Sequence, residues 1–371
     1  MNKILVFGMT ENPGGVESFL MNYYRKIDKT KFQFDFLCNS YEKIAYEDEI
    51  IESGGHTFHF IARSKNYTRY KRELENFFKK YAREYNTIWV NVCSLANIDY
   101  LKMAKKYGIK KRIIHSHNSQ NMDSKLRGML HKINKQMLER WATDYWACSE
   151  DAAKWFFKDS LLKKSIVIHN AIDVDRMQFD ELKREKIRLD NGWDDNTLVI
   201  GNIGRLHFQK NQKFAIDVFK KLYDLNSDYR LVLIGQGEDE AEIKCKIHQY
   251  NLDNVVIMAG IQNDIQGWLS AFDLFLFPSV FEGLSIVALE AQANGIPVLA
   301  SEKVIPVDVR INKNFEFFSL HKSVEEWAGK ISDMIRNGCR LEHSIVKNSF
   351  INVGFDIETE VEKLEGMLKT D

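Results

Sequence analysis

The feature of this 371-residue chain that most constrains its fold is the alternation of short apolar runs with longer amphipathic stretches. Residues 4–8, 32–38 and 87–92 are apolar runs of strand length, whereas residues 16–27 repeat apolar side chains at helical spacing. Runs that are apolar throughout are typical of strands buried on both faces, as in parallel sheets covered by helices. The first half of the chain is therefore predicted to be an α/β domain built on a parallel sheet.

The same alternation stops at a polar, charge-rich stretch and then begins again. Residues 173–195 contain no strand-like run, so we predict a linker around residues 170–195, followed by a second sheet of the same Rossmann-like kind. An amphipathic helix is predicted over residues 355–369, after the second sheet is complete. The remaining predicted strands are residues 57–61, 112–115, 145–148, 166–169, 198–203, 230–234, 255–258, 274–277 and 297–300.

The composition is that of an ordinary globular chain, with 44% hydrophobic residues. At roughly 150 residues per domain, the length predicts two domains. We expect neither a transmembrane helix nor a signal peptide, because no apolar stretch reaches about 18 residues and the N-terminal run is shorter than a signal peptide's. The cysteines are odd in number, scattered and without a C-x-x-C pair, which favours a reduced, cytoplasmic protein without a disulfide framework or zinc site. They are Cys38, Cys93, Cys148, Cys245 and Cys339.

The net charge is zero, but the two halves differ in charge. Residues 1–170 carry 29 Lys and Arg against 19 Asp and Glu, and the rest of the chain has the opposite excess. Basic residues concentrate in 63–83 and 102–112. These clusters are either solvated helix faces or a surface that contacts an anionic membrane or acceptor. A nucleic-acid partner is not expected, because the pI is near 7 and no binding motif is present.

A pair of glycines follows the first predicted strand and opens a helix. Gly14 and Gly15 permit special φ values and a close backbone approach, and the helix N-terminus offers free amides to an anion. They are candidates for contact with a phosphate or an acceptor sugar, and a simple strand-to-helix turn remains the alternative. The loop is not a G-x-G-x-x-G fingerprint, which argues against a dinucleotide cofactor.

Two cations occupy the loop after the strand at 198–203. Arg205 and Lys210 are five residues apart, on a loop that contains Gly204 and leads into a helix. A guanidinium offers a planar fork of donors and an ammonium offers a point charge, so together they suit the two phosphates of a nucleotide diphosphate. Each cation alone is also typical of a solvated surface.

Two carboxylates follow the strand at 274–277. Glu282 lies in the loop and Glu290 lies in the helix that starts near Ser285, with apolar residues around it. Carboxylates accept strong hydrogen bonds from sugar hydroxyls, and a carboxylate among apolar neighbours is costly unless it has a partner. The free amides near Leu284, Ser285 and Ile286 make an anion site at the N-terminus of this helix.

Glu282 and Glu290 match the E-x7-E element of retaining GT-B glycosyltransferases, and the chain resembles glycosyltransferase family 4 of that group over essentially its whole length. Residues 167–173 resemble the family's interdomain I-x-N-G-V-D segment, with Ala171 in place of the usual glycine. The other matching elements are Gly14-Gly15, Gly204-Arg205 with Lys210, Gly235-Gln236-Gly237, and Gly260.

The resemblance implies a role for each candidate residue. Arg205 and Lys210 are expected to hold the pyrophosphate of the donor, and Glu290 its ribose. Glu282 and the amides after it are expected to contact the transferred sugar. The same resemblance places the backbone of Gly260 and Ile261 against the base, and His117, which follows the predicted strand at 112–115, near the donor sugar and the reacting centre.

The implied reaction is retaining transfer of a sugar, by a hexosyltransferase, from a nucleotide diphosphate sugar to a hydroxyl. In the family the leaving phosphate is thought to receive the proton of the acceptor, and Arg205, Lys210 and the helix amides supply the positive charge. We therefore expect no cofactor and no metal requirement. Asp173 and Asp175 match the D-x-D metal motif of another glycosyltransferase fold, but they lie in the interdomain segment, and we interpret the match as a coincidence.

The resemblance also implies two Rossmann-like domains facing each other across a cleft. The predicted domains are an acceptor-side domain over residues 1–172, a nucleotide-sugar-binding domain over residues 173–352, and a helix within residues 353–371 that returns to the first domain. UDP is favoured as the donor nucleotide by family prevalence alone. The expected acceptor is a glycan or a lipid-linked sugar in capsular or exopolysaccharide synthesis, which adds the hypothesis of peripheral contact with the inner face of an anionic membrane.

Three other functions stay open at this point. A nucleotide-sugar 2-epimerase of the same fold would bind the same donor and need no acceptor. A dinucleotide-dependent oxidoreductase is disfavoured by the missing glycine fingerprint. A non-catalytic sugar-nucleotide-binding protein is disfavoured by the presence of Glu282, Glu290, Arg205 and Lys210 together.

Overall fold

The computed structural model describes residues 1–118, 125–282, 284–303 and 309–369. The chain divides into two compact units. Unit 1 comprises Met1–Ala171 together with Ile357–Asp371, and unit 2 comprises Ile172–Asp356.

Unit 1 is built on a seven-stranded sheet in the order β3-β2-β1-β4-β5-β6-β7, and every adjacent pair is parallel. The side chains of β1 explain this arrangement, because Ile4 and Val6 enter the core on one face while Leu5 enters the core on the other. A strand buried on both faces must be covered by helices on both sides. The strands are β1 Asn2–Phe7, β2 Phe32–Cys38, β3 Thr57–His59, β4 Thr87–Val92, β5 Lys111–Ser116, β6 Asp144–Ala147 and β7 Ile166–Val167.

The helices of unit 1 connect these strands or cover the sheet, with 3-10 turns at Ala82–Glu84 and Leu138–Arg140. The description of α5 starts at Lys125, and residues 119–124 before it lie outside the described part of the chain. None of the helices in the described part of the chain combines the length and apolar character needed to cross a bilayer. The helices are α1 Gly15–Lys26, α2 Glu47–Glu52, α3 Tyr67–Tyr81, α4 Asp99–Lys106, α5 Lys125–Met137, α6 Glu150–Phe156, α7 Asp159–Leu162 and, from the C-terminal end of the chain, α16 Ile357–Leu368.

Unit 2 is built on a six-stranded parallel sheet in the order β10-β9-β8-β11-β12-β13. Its strands are β8 Leu198–Ile203, β9 Tyr229–Ile234, β10 Val256–Gly260, β11 Leu274–Phe277, β12 Val298–Ser301 and β13 Phe315–Phe318. Its helices are α8 Val174–Met177, α9 Glu181–Asp190, α10 Gln212–Leu225, α11 Glu240–Gln249, α12 Ile265–Ala271, α13 Ile286–Ala293, α14 Val324–Asn337 and α15 His343–Val353, and a 3-10 turn spans Phe208–Lys210.

The predicted linker around residues 170–195 is wrong, because this stretch contains α8 and α9 and its residues from Ile172 onward belong to unit 2. Its charged residues cap helices and form a buried ion pair. In the sequence alone, these residues look like the solvated charges of a linker. Asp173 accepts a hydrogen bond from the Arg176 amide, and Asp180 caps α9 in the same way. Arg188 is buried and lies 3.4 Å from Asp273.

In each unit the strand order reverses at one position. The chain first adds strands on one side of β1 or β8 and then adds the later strands on the other side. The reversals lie between β1 and β4 in unit 1 and between β8 and β11 in unit 2. Ligands of open α/β sheets bind outside the carboxyl ends of the strands at such a reversal, so each unit has one expected ligand position.

The C-terminal helix α16 packs against α1 within unit 1. Leu364 and Leu368 are fully buried in the core that also contains β1 and α1. Polar contacts support the packing, because Lys26 Nζ lies 2.5 Å from Glu358 Oε1 and Glu365 accepts a hydrogen bond from the Asp28 amide at 2.8 Å. The last helix of the chain therefore completes the core of the first unit.

Replacement of Leu364 by Ala should destabilise unit 1 by about 2–5 kcal/mol, the usual cost of a cavity at a fully buried leucine. Chemical denaturation followed by circular dichroism would measure the loss. The matched control is Leu225→Ala, because Leu225 is 77% exposed on α10 and its change should cost under about 0.5 kcal/mol. Equal losses from the two substitutions would contradict the packing of α16.

Candidate functional site

The loop after β8 is held in place by two glycines of the loop after β9. A Cβ atom on Gly235 would lie 2.1 Å from the Gly204 carbonyl oxygen, and a Cβ on Gly237 would lie 2.2 Å from the Leu206 carbonyl oxygen. The φ of Gly235 is also +133°, which L side chains rarely adopt. The G-x-G pair therefore allows the backbone that carries Arg205 to approach the neighbouring loop closely.

The two predicted phosphate ligands on this loop have different partners. Arg205 is exposed, and its Nε lies 3.0 Å from Oε2 of Glu238, whose other oxygen lies 3.2 Å from Nε2 of His207. Lys210 is largely buried, and its Nζ lies 2.7 Å from Oε1 of Glu282. The structure therefore brings Lys210 and Glu282 together, whereas Arg205 pairs with a residue that the sequence analysis did not single out.

The loop after β11 is fastened to the loop after β8 by backbone and side-chain hydrogen bonds. The Val280 amide donates to the Gln209 carbonyl at 2.7 Å, and Gln209 Nε2 donates to the Phe281 carbonyl at 3.0 Å. Asn211 Nδ2 donates to the Pro278 carbonyl at 3.1 Å. Sequence reasoning missed Gln209 and Asn211, and only their position beside Lys210 could have indicated them.

Glu282 is oriented by two partners on the same oxygen. Ser279 Oγ donates a hydrogen bond to Oε1 at 2.8 Å, in addition to the contact with Lys210. The Lys210 ammonium also lies 5.0 Å from the ring centroid of Phe277. These contacts hold the carboxylate in one orientation and leave Oε2 outside both interactions.

Helix α13 begins directly after this loop. Ser285 is its N-cap, and the amides of its first turn, Ile286 among them, have no acceptor within the helix. Leu284 precedes the cap and is partly buried. The end of a parallel strand and a helix N-terminus thus meet at the reversal point of the sheet, as an anion site requires.

Glu290 lies one turn into α13 and is half-buried. Burial raises the pKa of its carboxyl group to about 7, and the charge of Arg176 opposes that rise. Within the described part of the chain, no side-chain hydrogen bond or ion pair engages this carboxyl group. A carboxyl group in this state is poised to accept hydrogen bonds from a ligand.

Gly260 is the last residue of β10, and Ile261 follows it beside the G-x-G loop. Gly260 has a φ of +66°, and its carbonyl oxygen accepts a hydrogen bond from the Gly235 amide at 2.8 Å. Ile261 is 70% exposed. The backbone at this point is therefore fixed to the loop after β9, while the side chain that follows it is open to solvent.

In unit 1, the sequence-based reason for Gly14 and Gly15 is wrong in part, because neither has a positive φ. Gly14 is the extended N-cap of α1, and a Cβ atom on Gly15 would meet nothing within 4 Å. The loop is shaped instead by buried Glu17, whose Oε1 accepts hydrogen bonds from the amide and the hydroxyl of Thr10 at 3.0 and 2.5 Å. Gly15 therefore leaves open space above the start of α1, whereas a Cβ atom on Gly14 would lie 2.9 Å from Glu17 Oε2.

His117 follows β5 directly and lies beside the end of β4. Its Nε2 is 2.9 Å from Asn91 Oδ1, and Asn91 Nδ2 donates to the Phe7 carbonyl at 3.2 Å. The amide orientation makes Oδ1 the acceptor, so Nε2 carries the proton and Nδ1 the lone pair. Burial lowers the pKa of His117 to about 3, which keeps the imidazole neutral at neutral pH.

Two further residues support His117, and the sequence analysis gave neither a role there. Gly8 has a φ of +143°, and a Cβ atom on it would lie 2.7 Å from the Asn91 Cβ. His115 is fully buried within β5, as expected, with its ring centroid 4.2 Å from that of His117. The sequence signal for this contact was Gly8 at the end of the first predicted strand, because a glycine there allows another side chain, here Asn91, to approach the backbone closely.

The two aspartates of the D-x-D match have other partners. Asp173 caps α8, while Asp175 accepts hydrogen bonds from His343 at 2.8 Å and from Lys347 at 2.9 Å. In the described part of the chain, no group of three or more His, Cys, Asp and Glu side chains is arranged to hold a metal ion. That the reaction requires no metal stays a prediction.

Comparison with known proteins agrees with this geometry. Residues 183–350 match the family Glycosyl transferases group 1. The chain therefore carries a group 1 glycosyltransferase domain. This domain holds the loops after β8, β9 and β11 and helix α13, and the relatives found over the full length of the chain are also named glycosyltransferases, so the chain is an enzyme of this class.

Relatives extend the similarity beyond this domain. The glycosyltransferase EpsF of Bacillus subtilis is 29% identical over 360 residues, covering 94% of this chain and 92% of that protein. The capsular polysaccharide biosynthesis glycosyltransferase CapH of Staphylococcus aureus is 23% identical over 98% of both chains. An Escherichia coli UDP-Gal:alpha-D-GlcNAc-diphosphoundecaprenol alpha-1,3-galactosyltransferase is 28% identical over 220 residues, covering 55% of this chain and 54% of that protein.

Solved structures establish the fold. The crystal structure of Anabaena HepE in complex with UDP and glucose aligns with a TM-score of 0.78 at 19% identity, covering 99% of both chains. The predicted fold class is confirmed: the chain is an α/β protein of two parallel-sheet units with the GT-B fold.

In the ligand-free protein, Glu290→Gln should raise the Tm above that of the unchanged protein at pH 8. The difference should be smaller at pH 5. An unfolded carboxyl group ionises near its usual pKa of 4.5, whereas the folded one holds its proton to about pH 7. The unchanged protein therefore loses stability as the pH rises between these values, and the Gln variant does not. At pH 8 we expect a gain of about 1 kcal/mol, or roughly 2–4 °C in Tm.

Differential scanning fluorimetry across this pH range would measure the effect. The matched control is Glu185→Gln, because Glu185 is exposed on α9 of the same unit. If the Tm difference between the Glu290→Gln variant and the unchanged protein were the same at pH 5 and pH 8, the raised pKa of Glu290 would be contradicted.

Proposed function

We propose that this glycosyltransferase is a retaining enzyme that moves a sugar from a UDP-sugar to a hydroxyl of a glycan or a lipid-linked acceptor, in capsular or exopolysaccharide synthesis. The names of CapH and of the Escherichia coli galactosyltransferase support the pathway, the donor and the acceptor class. The UDP complex of HepE shows a nucleotide of this kind on a protein with the same fold.

The observation that carries the proposal is the Lys210–Glu282 ion pair at the reversal point of the unit 2 sheet. It joins the loops after β8 and β11, which the strand order places side by side. The start of α13 lies at the same edge, and Glu290 in its second turn has a carboxyl group without a side-chain partner among the described residues. One edge of unit 2 thus offers cations, free amides and carboxylates to a ligand that carries both phosphates and hydroxyls.

We assign the diphosphate to Arg205, Lys210 and the first amides of α13. Arg205 is exposed and can exchange Glu238 for a phosphate, to which a guanidinium binds through two parallel hydrogen bonds. Lys210 has three N–H donors, so it can keep Glu282 and still donate to a phosphate oxygen. The amides add the positive end of the helix dipole.

We assign the hydroxyl groups of the donor to the two carboxylates, which can accept hydrogen bonds from them. Glu290 lies deeper in α13 and is assigned to the ribose, whose hydroxyls would satisfy a carboxyl group that has no side-chain partner in the described protein. Glu282 is held through Oε1, so Oε2 is assigned to a hydroxyl of the transferred sugar. The backbone of Gly260 and Ile261 is assigned to the base.

The chemical step needs charge stabilisation rather than a protein base. The bond between C1 of the sugar and the diphosphate oxygen breaks, a bond from C1 to the acceptor oxygen forms, and the acceptor proton goes to the departing diphosphate. Arg205, Lys210 and the α13 amides stabilise the negative charge on that group, as donors fixed before the reaction do. A neutral His117 contributes hydrogen bonding and no charge, which suits a place beside the acceptor and the reacting sugar.

Incubation of the purified protein with a panel of UDP- and GDP-sugars, with EDTA present and no acceptor, should release nucleotide slowly from one donor. Arg205→Ala and Glu290→Ala should each lower this rate about 100-fold or more. The first removes a hydrogen-bond donor to the diphosphate, and the second removes a hydrogen-bond acceptor for the ribose. The matched control is Arg336→Ala, an exposed arginine at the end of α14 in unit 2, which should leave the rate unchanged.

Each alternative result has a distinct meaning. Loss of release in EDTA that added Mg²⁺ restores would contradict metal independence. Appearance of the C2 epimer of the sugar nucleotide would indicate the 2-epimerase. With an acceptor, proton NMR of the product should show the anomeric configuration of the donor, and an inverted product would rule out retention. If no donor is hydrolysed, a UDP titration that detects no binding would rule out the assigned donor site.

A further inference from the structure

A pocket of unit 2 lies at the edge of the sheet opposite the candidate donor site. Leu198 begins β8, Asp273 precedes β11 and Pro297 precedes β12, and all three line this pocket. They mark the amino ends of parallel strands, whereas the residues assigned to the donor follow the carboxyl ends. Arg184 of α9 and Arg340, between α14 and α15, also line the pocket, which has a volume of about 280 Å³. We call it the arginine pocket.

The C-terminal end of α12 holds both arginines in place. Arg184 Nη1 donates a hydrogen bond to the Ser270 carbonyl at 2.9 Å, and its Nη2 donates to Asp273 Oδ1 at 2.8 Å. Arg340 Nη2 donates to the Phe272 carbonyl at 2.7 Å. Cations are favoured at this end of a helix, where the last carbonyl groups have no partner within the helix. The two guanidinium groups are therefore ordered without a ligand, which lowers the entropy cost of binding one.

The carboxylates near the pocket are already engaged or exposed. Asp273 is the single acidic residue among the described residues that line it. Its Oδ1 accepts from Arg184, and its Oδ2 accepts from the Val199 amide at 2.8 Å and lies 3.4 Å from buried Arg188. Glu181, exposed on α9, is the other carboxylate whose charge reaches Arg340. The residues that line the pocket thus carry an excess of positive charge.

The surroundings of Arg340 disfavour its positive charge. Burial, and then the neighbouring charge of Arg184, lower the pKa of the Arg340 guanidinium. The ring of Phe179, whose centroid lies 4.5 Å from the Arg340 guanidinium carbon, forms one wall of the pocket. A bound anion would offset the repulsion between the two arginines, and its attraction to them would be strengthened by the low dielectric of the apolar walls.

Each arginine keeps one N–H group for a ligand. Within the described chain, the hydrogen bonds of Arg184 and Arg340 all use Nη1 and Nη2, and the Nε–H groups have no acceptor there. Donors from two guanidinium groups suit an anion with several oxygens, such as phosphate. The pocket has room for a phosphate group, since a water molecule takes about 30 Å³ in the liquid.

We propose that the arginine pocket binds a phosphate group, either as free phosphate or as the phosphoryl group of a small molecule, at a site separate from the donor site. The phosphate oxygens would accept hydrogen bonds from the Nε–H groups of Arg184 and Arg340. Bound phosphate would fasten α9 and the segment before α15 to each other, because these two elements supply the arginines. The inference goes beyond the proposed function and does not depend on it.

The test is a phosphate titration of the full-length protein, followed by differential scanning fluorimetry. Inorganic phosphate should raise the Tm along a saturating curve, by about 2 °C or more at saturation. Arg184→Gln should raise the apparent Kd about tenfold or more, because it removes hydrogen bonds between charged groups. Arg184→Lys keeps the charge and loses the guanidinium fork, so it should also weaken binding and serves if the Gln variant does not fold.

Two control variants locate the effect. Arg230→Gln also removes an arginine of unit 2 that donates to backbone carbonyls, outside the arginine pocket, and should titrate like the unchanged protein. Arg205→Ala disables the assigned diphosphate site and should keep the same response to phosphate. Glucose 6-phosphate is the second probe, because tighter binding than that of inorganic phosphate would identify a phosphorylated small molecule, and weaker binding would identify the free anion.

Two results would overturn the inference. One is a Tm that rises without saturation and equally in the Arg184→Gln variant, which is the general stabilising effect of phosphate salts. The other is a saturating response that Arg205→Ala abolishes and Arg184→Gln keeps, which would place the phosphate at the donor site. Release of nucleotide from the donor is measured separately, so failure of this inference leaves the proposed function untouched.

Discussion

Parallel pairing of every strand is the constraint on which the rest of each unit depends. A parallel pair requires a crossover connection, so helices cover both faces and all strand ends of one polarity lie on one edge. Both sheets place their first strand inside the sheet and reverse direction beside it, at β1/β4 and at β8/β11. The loops that follow these strands are then neighbours, although they are far apart in the chain.

In unit 2 this geometry brings together charged side chains whose charges cancel only in part. Lys210 and Glu282 neutralise each other across the two loops, and Glu238 pairs with Arg205 at the solvent edge. Glu290 is different, because its carboxyl group is half-buried with a raised pKa and no side-chain partner in the described chain. Its position costs stability and keeps an acceptor available, which is a common property of binding sites.

Unit 1 uses the corresponding edge in a different way. Gly8 and Asn91 hold a neutral histidine beside the end of β1, and Gly15 leaves space above the start of α1. Much of the positive charge of unit 1 lies on helices such as α4 and α5, and α5 is attached through His131 and Asn134 so that its apolar side faces outward.

Much of the fold could be predicted from the sequence, because period and composition report which faces a strand buries. The predicted strands at 32–38, 87–92, 198–203 and 274–277 have the bounds that the structure shows. The linker at 170–195 was wrong because composition does not reveal whether a charge is a cap or a solvated group. Asp173 becomes a cap only when α8 forms, and Arg188 meets Asp273 only when α9 packs against α12.

The sequence by itself determined two parallel α/β units and the short list of loop residues, since apolar periodicity and the positions after strands are local properties. Tertiary structure decided which of these residues meet. The contact of Lys210 with Glu282 spans 72 positions of the chain and depends on β8 and β11 being neighbours. The support of Asn91 for His117, and the outward direction of the apolar face of α5, likewise depend on which groups fold against each element. A sequence pattern shows that a helix has two faces, and only packing determines which one is buried.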